Sequence, residues 1–256
     1  MQTDFILDYW DSQARTYGDL HDASWRDRFA IELEIASLDR CLPGGLKGLG
    51  DGMVFLDVGC ANGYSTQRIG DLRPQAEFVG VDFSAQMIAA AHANEQIRYT
   101  WGDVRDLPFG DESFDALYTT RVLINLPTWP QQMQAIDECL RVVRPGGTVC
   151  FCEGFWEPQC TLNALRAVIG LPPLGEPVFN RLLWKRNLDA LLDDRGLRFE
   201  VDAFSGLYQL GSRFVRELVG EEGYQGLVNA SFADLALEGL HAGGKLAIQQ
   251  TYIVHV

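Results

Sequence analysis

The run Val54-Phe55-Leu56-Asp57-Val58-Gly59-Cys60-Ala61-Asn62-Gly63 constrains the fold more than any other stretch of this chain. An apolar, strand-forming segment passes directly into a turn of small residues and then into a helix-forming run that begins at Tyr64. A chain takes this shape where its backbone must come close to a ligand. Gly59 and Gly63 can reach backbone angles closed to other residues, and neither they nor Ala61 cover the turn with a bulky side chain. A glycine-rich corner between strand and helix also arises from packing alone, so the turn does not decide the matter by itself.

The order of the segments that follow does. Phe78-Val79-Gly80-Val81-Asp82 is a second apolar strand ending in an acid about 20 residues on, where a carboxylate in an open α/β sheet accepts hydrogen bonds from ribose hydroxyls. A third strand runs from Ile97 to Val104 with Asp103 near its end, and a fourth covers Phe114-Asp115-Ala116-Leu117-Tyr118-Thr119. Leu140 to Gly147 closes a helix ahead of a fifth strand, in which Cys150 and Cys152 alternate so as to share one face. Residues 196–204 and 249–256 read as two further strands. The spacing also predicts a helix over 84–94, capped by Ser84 with Met87 and Ile88 on its apolar face. Strands alternating with helices call for a parallel sheet with right-handed crossovers. The expectation is an α/β, Rossmann-like seven-stranded sheet, mostly parallel with an antiparallel terminal strand, helices on both faces and helical lid insertions. A nicotinamide-type enzyme would carry the tighter Gly-x-Gly-x-x-Gly spacing, and a P-loop would need a lysine after the turn; neither is present.

Leu56 to Gly63 resembles the first motif of the class I S-adenosylmethionine-dependent methyltransferases, with Ala61 where a glycine is more usual. Val81-Asp82-Phe83-Ser84 is similar to that family's ribose-binding motif, Gly102-Asp103-Val104 to its adenine-binding motif, and Arg144-Pro145-Gly146-Gly147 to the turn before its fifth strand. The resemblance covers residues 51–153. It implies S-adenosylmethionine as cofactor and methyl transfer to an oxygen or nitrogen of a small molecule such as a sugar, a cyclitol or a biosynthetic intermediate. A softer similarity to methyltransferases of bacterial sugar, surface-polysaccharide and secondary-metabolite pathways rests on Leu162-Asn163-x-Leu165-Arg166, Gly170-Leu171-Pro172-Pro173 and Phe179-Asn180.

The resemblance also implies roles. Asp82 accepts from both ribose hydroxyls, Gly102, Asp103 and the Val104 amide frame the adenine edge, and Phe83 or Met87 packs on the ring. The backbone of Gly59, Cys60, Ala61 and Gly63 passes against the amino-acid tail and ribose, and Asp57 holds the α-amino group indirectly. Tyr17 belongs to an N-terminal segment folded over the cofactor. Arg121 and Asn125 stand at the cofactor tail and the substrate mouth. For catalysis the candidates are Glu153 at the end of the fifth strand, His21 in the N-terminal segment and Asn180 in the first insertion, with His241 in the second. Each has a plain structural alternative: a salt-bridge or capping role for Glu153, a surface position for the histidines. Methylation of a protein or peptide, and a binding subunit that keeps the fold without catalysis, remain as alternatives.

Three units follow within one structural domain: an N-terminal helical lid over 1–50, a cofactor-binding core over 51–153, and a completion of the sheet over 154–256. The last carries insertions at 154–187 and 205–245. Both leave the carboxyl edge of the sheet, where ligands of such folds bind, and so are expected to wall the acceptor pocket. A net charge of −14 opposes a nucleic-acid partner. No segment approaches the roughly 18 to 20 uninterrupted apolar residues of a membrane span, and the start lacks the pattern of a signal peptide. Six cysteines without a Cys-x-x-Cys pair suit reduced thiols in the cytoplasm, and no spacing suggests a metal site. The oligomeric state stays open, a homodimer among the options, as does the identity of the methyl acceptor.

Overall fold

The computed structural model of the protein describes residues 2–44, 52–176, 179–239 and 243–256. Its seven strands are β1 (Val54–Val58), β2 (Glu77–Asp82), β3 (Ile97–Trp101), β4 (Phe114–Thr120), β5 (Val143–Gly154), β6 (Arg198–Asp202) and β7 (Gln249–His255). They form one sheet in the order β3-β2-β1-β4-β5-β7-β6. Every neighbouring pair is parallel except the two that involve β7, which runs antiparallel to β5 and to β6. The order reverses at β1, and β1 and β4 therefore part at their carboxyl ends to open a crevice.

Ten helices accompany the sheet among the described residues: α1 (Gln2–Tyr17), α2 (Arg28–Cys41), α3 (Tyr64–Asp71), α4 (Ala85–Ala90), α5 (Trp129–Arg141), α6 (Trp156–Val168), α7 (Lys185–Asp194), α8 (Gly206–Leu210), α9 (Arg216–Leu218) and α10 (Leu227–Leu237). The two-residue period of the strands divides the core. Leu56, Leu117, Val149 and Phe151 face Ile136 and Cys139 of α5 and Leu188 of α7. Phe55, Phe78, Tyr118, Cys150 and Cys152 face Ile31 and Leu38 of α2, Ile69 of α3 and Ala233 of α10. The shared face expected for Cys150 and Cys152 is present, and both are buried.

Three expectations change. Helix α4 is shorter than 84–94. Ser84 does cap it, accepting from the Met87 amide at 3.1 Å, but the chain turns extended at Ala91. Asn94 then accepts from the amides of Gln96 (2.8 Å) and Ile97 (2.9 Å), using its side chain to start the turn into β3. The first 50 residues are not one lid: α1 packs on α4, whereas α2 buries Ile31, Leu33, Ile35 and Leu38 in the core. Finally, the segment after β6 does not stand over the crevice as a separate cover. Helix α8 continues through a π-turn, Gly211–Val215, into α9, and α10 folds back along α2. Asp27, fully buried at the start of α2, fixes this arrangement by accepting from Tyr208 Oη (2.5 Å) and Arg213 Nη2 (3.1 Å). No helix among the described residues is long and apolar enough to cross a membrane.

Candidate active site

The crevice is built from the turn after β1 outward. Gly59 has φ 73°, and a Cβ there would sit 2.2 Å from Val122 Cγ2, so both conformation and space demand glycine. Its amide donates to the Val81 carbonyl at 2.7 Å, tying the turn to β2. Gly63, at φ 78°, starts α3. Between them Ala61 takes φ 49°, a left-handed conformation that a residue with a Cβ adopts at a cost.

The amide of Ala61 donates to Asp82 Oδ2 (2.9 Å) and that of Ser84 to Oδ1 (2.8 Å), so the carboxylate at the end of β2 is aimed by backbone from both sides. Burial pushes its carboxyl up to about 6, against the pull of these hydrogen bonds. Asp57, deeper in the floor, accepts from Thr66 Oγ1 at 2.6 Å and is pushed by burial to about 7. Asp103 differs. Burial raises its carboxyl, but the amide and guanidinium of Arg105, both at 2.9 Å from Oδ1, outweigh it and hold the group below its ordinary value.

The opposite wall comes from α1 and from the end of β4. Ile6 and Trp10 of α1, Ser24, Thr120, Arg121, Val122, Asn125 and Leu126 complete the lining. Helix α1 is fastened to the turns it covers. Asn62 Nδ2 donates to the carbonyls of Gly18 and Leu20, each at 2.8 Å, and Ser84 Oγ donates to Asp11 Oδ1 at 2.6 Å. Arg121 donates from Nε to the buried Glu34 (2.9 Å) and from Nη1 to the Ser24 carbonyl (3.3 Å), with its guanidinium 4.9 Å from the Trp25 ring centre. Asn125 Nδ2 donates to the Arg121 carbonyl at 2.6 Å, whereas Asn125 Oδ1 and Thr120 Oγ1 are buried without a partner.

Most of the residues singled out for the cofactor meet in this crevice: Asp57, Gly59, Cys60, Ala61, Asp82, Phe83, Met87, Gly102, Asp103, Val104 and Arg121 line it. Gly63 lies just outside the lining. Tyr17, the last residue of α1, packs against the cluster of Ala14, Ala23 and Met87 outside the lining, and its hydroxyl receives a hydrogen bond from Arg26.

The catalytic candidates are elsewhere. Glu153 is fully buried, and its carboxylate is turned into the protein: Oε1 accepts from Thr119 Oγ1 (2.7 Å) and the amides of Val122 and Leu123, and Oε2 from that of Ile124. Burial still pushes it up to about 7. It shapes the turn that carries Arg121 and Asn125 and does not face the crevice. His21 points its Nδ1 at the Trp25 carbonyl, 3.2 Å away, and lies edge-on to Tyr64. Asn180 is half-buried in the loop after α6 and does not line the crevice; its neighbour Phe179 reaches the aromatic rings of Tyr9 (4.4 Å) and Trp10 (6.1 Å). His241 falls outside the described residues. None of the described lining residues comes from 154–187 or 205–245; the first insertion meets the crevice through Phe179, on the Tyr9 and Trp10 rings of its cover. Asn62 and Thr120 were not assigned a role by sequence, although the polar Asn62 between small residues of the turn was a visible signal; Trp10 belongs to the N-terminal segment expected over the cofactor. No group of three or more His, Cys, Asp or Glu among the described residues is placed to hold a metal.

Residues 55–147 match a family model described as a methyltransferase domain. Over that stretch the chain is similar to the class I S-adenosylmethionine-dependent methyltransferases.

Within the curated members it resembles malonyl-[acyl-carrier protein] O-methyltransferase 1 of Coxiella burnetii, with 33% identity over 39% of this chain and 33% of that protein. It also resembles the tRNA (carboxymethyluridine(34)-5-O)-methyltransferase of Arabidopsis thaliana, with 38% identity over 41% of this chain and 24% of that one. The chain thus spans a third or less of these two relatives. Among solved structures, the Haloferax volcanii putative methyltransferase in complex with the Trm112 activator shares the fold, with TM-score 0.62, 17% identity and 96% of each chain covered. The family's cofactor is S-adenosylmethionine, and the crevice fits it. Asp82 would present a carboxylate to ribose hydroxyls, Phe83 and Met87 would offer apolar surface to a base, and the orphaned acceptor Asn125 Oδ1 would suit an ammonium.

Proposed function

We propose that this methyltransferase transfers a methyl group from S-adenosylmethionine to an oxygen or nitrogen of a small molecule. The observation that carries the reading is the crevice itself: three strand-end carboxylates and the glycine turn lie on one side, and Ile6 and Trp10 of α1 close over the other. Bound there, the cofactor supplies a methyl on a positively charged sulfur. The chain's own work is alignment and exclusion of water, which can supply several kcal/mol of barrier reduction without a covalent intermediate. Asp82 and Asp103 fix the nucleoside, while Asn62 and Ser84 keep α1 down over the site through Gly18, Leu20 and Asp11. A crevice covered by a helix favours a small acceptor over a polymer strand, and the net charge of −14 disfavours RNA. Incubating the protein with trideuteromethyl cofactor and a metabolite extract should label a small molecule, read by mass spectrometry. If only protein or RNA in the mixture gains the label, the small-molecule reading fails.

A further inference from the structure

Resting on that reading, we infer that the methyl acceptor is an ionised carboxylate, held by the free edge of Arg121, and that the product is a methyl ester.

Arg121 is the one side chain of the acceptor wall that offers an uncommitted cationic donor among the described residues. Its Nε and Nη1 are spent on Glu34 and Ser24, and Trp25 stacks on its face. Its Nη2 makes no hydrogen bond among the described residues, and the residue lines the crevice. A guanidinium pinned at two nitrogens and stacked on a ring has its remaining N–H direction set in advance, the arrangement that suits a carboxylate oxygen. Next to it in the chain, Thr120 Oγ1 is buried, unpartnered and able to donate. Arg105, the other cation of the lining, is paired through Nε and Nη2 with Asp103 on the far side of the crevice, after β3.

The acids of the crevice are already employed. Asp57 is held by Thr66, Asp82 by two amides and Asp103 by Arg105. Glu153 is sealed beneath the wall, and no histidine is among the described lining residues. An alcohol would need a base to take its proton during transfer. An amine is an ammonium at neutral pH and must give up a proton before it can attack. A carboxylate, with an ordinary pKa near ~4, arrives as a nucleophile and suffers neither difficulty.

The walls add a second argument. A carboxylate oxygen forms a bond to the methyl carbon as the carbon–sulfur bond breaks, and that electron pair stays on sulfur. An anion and a sulfonium become a neutral ester and a neutral thioether, and no proton moves. Charge therefore disappears along the reaction, and Ile6, Trp10, Val122 and Leu126, by excluding the water that would stabilise separated charges, favour the transition state. Transfer to a neutral amine keeps its positive charge and gains less from such walls.

The test uses the full chain with trideuteromethyl cofactor and matched pools of carboxylic acids, alcohols and amines, run beside a metabolite extract. The expected label sits in products that release it as methanol in mild alkali, with a rate flat between about pH 7.5 and 9 because no base takes part. Arg121→Met should lower acceptor kcat/KM on the order of 100-fold, the scale of a charged hydrogen bond, with the Kd for S-adenosylhomocysteine by calorimetry unchanged. The double variant Arg121→Met with Glu34→Gln, which leaves no unpaired buried charge, should behave alike and guards against misfolding. Label in alkali-stable ethers or methylamines overturns the carboxylate and leaves methyl transfer standing. Weakened S-adenosylhomocysteine binding with intact acceptor kinetics places Arg121 at the cofactor tail and also overturns it. No label in any pool or in the extract, with S-adenosylhomocysteine still bound, sinks both readings.

Discussion

On the β1–β3 side of the crevice, the three carboxylates are held by near neighbours in the chain. Thr66 lies nine residues from Asp57, Ser84 two from Asp82, Ala61 21 from Asp82, and Arg105 two from Asp103. On the β4–β5 side the partners are remote: Glu34 is 87 residues from Arg121, and behind it Asp27 meets Tyr208 and Arg213 across 181 and 186 residues. The carboxylates of the first side are set by their own strand–turn–helix units, and it is its cover, through Asn62 to Gly18 and Leu20 and Ser84 to Asp11, that reaches farther along the chain. The second exists only after α2, α8 and β4 have come together. Its chemistry can therefore change by substitutions at a distance while the cofactor site stays as it is.

The largest test of this contrast is Asp27→Ala. It leaves a buried guanidinium and a buried hydroxyl facing an empty place, a defect of about 3–5 kcal/mol. Urea unfolding should register that loss, while the folded fraction binds S-adenosylhomocysteine with unchanged Kd. A parallel loss of cofactor affinity would mean that the two sides are coupled. Next in size, Asp82→Ala should weaken cofactor binding by about 1.5–3 kcal/mol, the scale of hydrogen bonds to a charged group, with little effect on unfolding. Unaltered affinity in a folded variant would remove Asp82 from the ribose site.

Acid chemistry gives a third test. Asp57, Asp82 and Glu153 are held at about 7, 6 and 7 by burial, above their ordinary values. Between about pH 4 and 7 the native state then binds more protons than the unfolded chain, so these groups favour folding at low pH and lose that contribution as pH rises. The ligand-free protein should melt at a higher Tm near pH 5 than near pH 8. Asp103, Glu138 and Glu217, held low, limit the gain because they must be protonated below their ordinary range. Cofactor affinity should move the other way, falling as Asp82 is protonated below about pH 6, since ribose hydroxyls donate to its ionised form. A Tm that climbs steadily from pH 5 to 8 would contradict the assignment of these buried acids.

The smallest expected effect is Ala61→Gly. Removing the Cβ relieves the left-handed strain of about 1 kcal/mol, partly offset by the freer unfolded chain, for a net gain of about 0.5 kcal/mol. The amide that holds Asp82 is retained, so cofactor Kd should stay the same. Lower stability would show that the methyl group of Ala61, packed beside Met87 and Tyr17, contributes more than the strain removes.

The cofactor side was legible because its information is local. A strand of apolar period two, a small-residue turn and an acid at a strand end are written in consecutive residues, and Asp57, Gly59, Asp82 and Asp103 arrive in the crevice as their spacing implies. The catalytic candidates were not legible in the same way. Glu153 sits at the end of β5 where sequence puts it, yet which way its carboxylate faces depends on the amides of Val122, Leu123 and Ile124 in the turn after β4.

By itself the sequence determined the strands, the mostly parallel sheet with its antiparallel last strand and the meeting of Asp57, Gly59, Asp82 and Asp103 at one crevice, because hydrophobic periodicity and turn chemistry act over a few residues. Only the tertiary structure decided that, among the described residues, Ile6 and Trp10 of α1 cover the crevice, that Phe179 of the first insertion packs on that cover, and that Arg121 keeps one edge free. Those outcomes depend on which side chains from distant segments exhaust each other's hydrogen bonds, and no local pattern encodes that pairing.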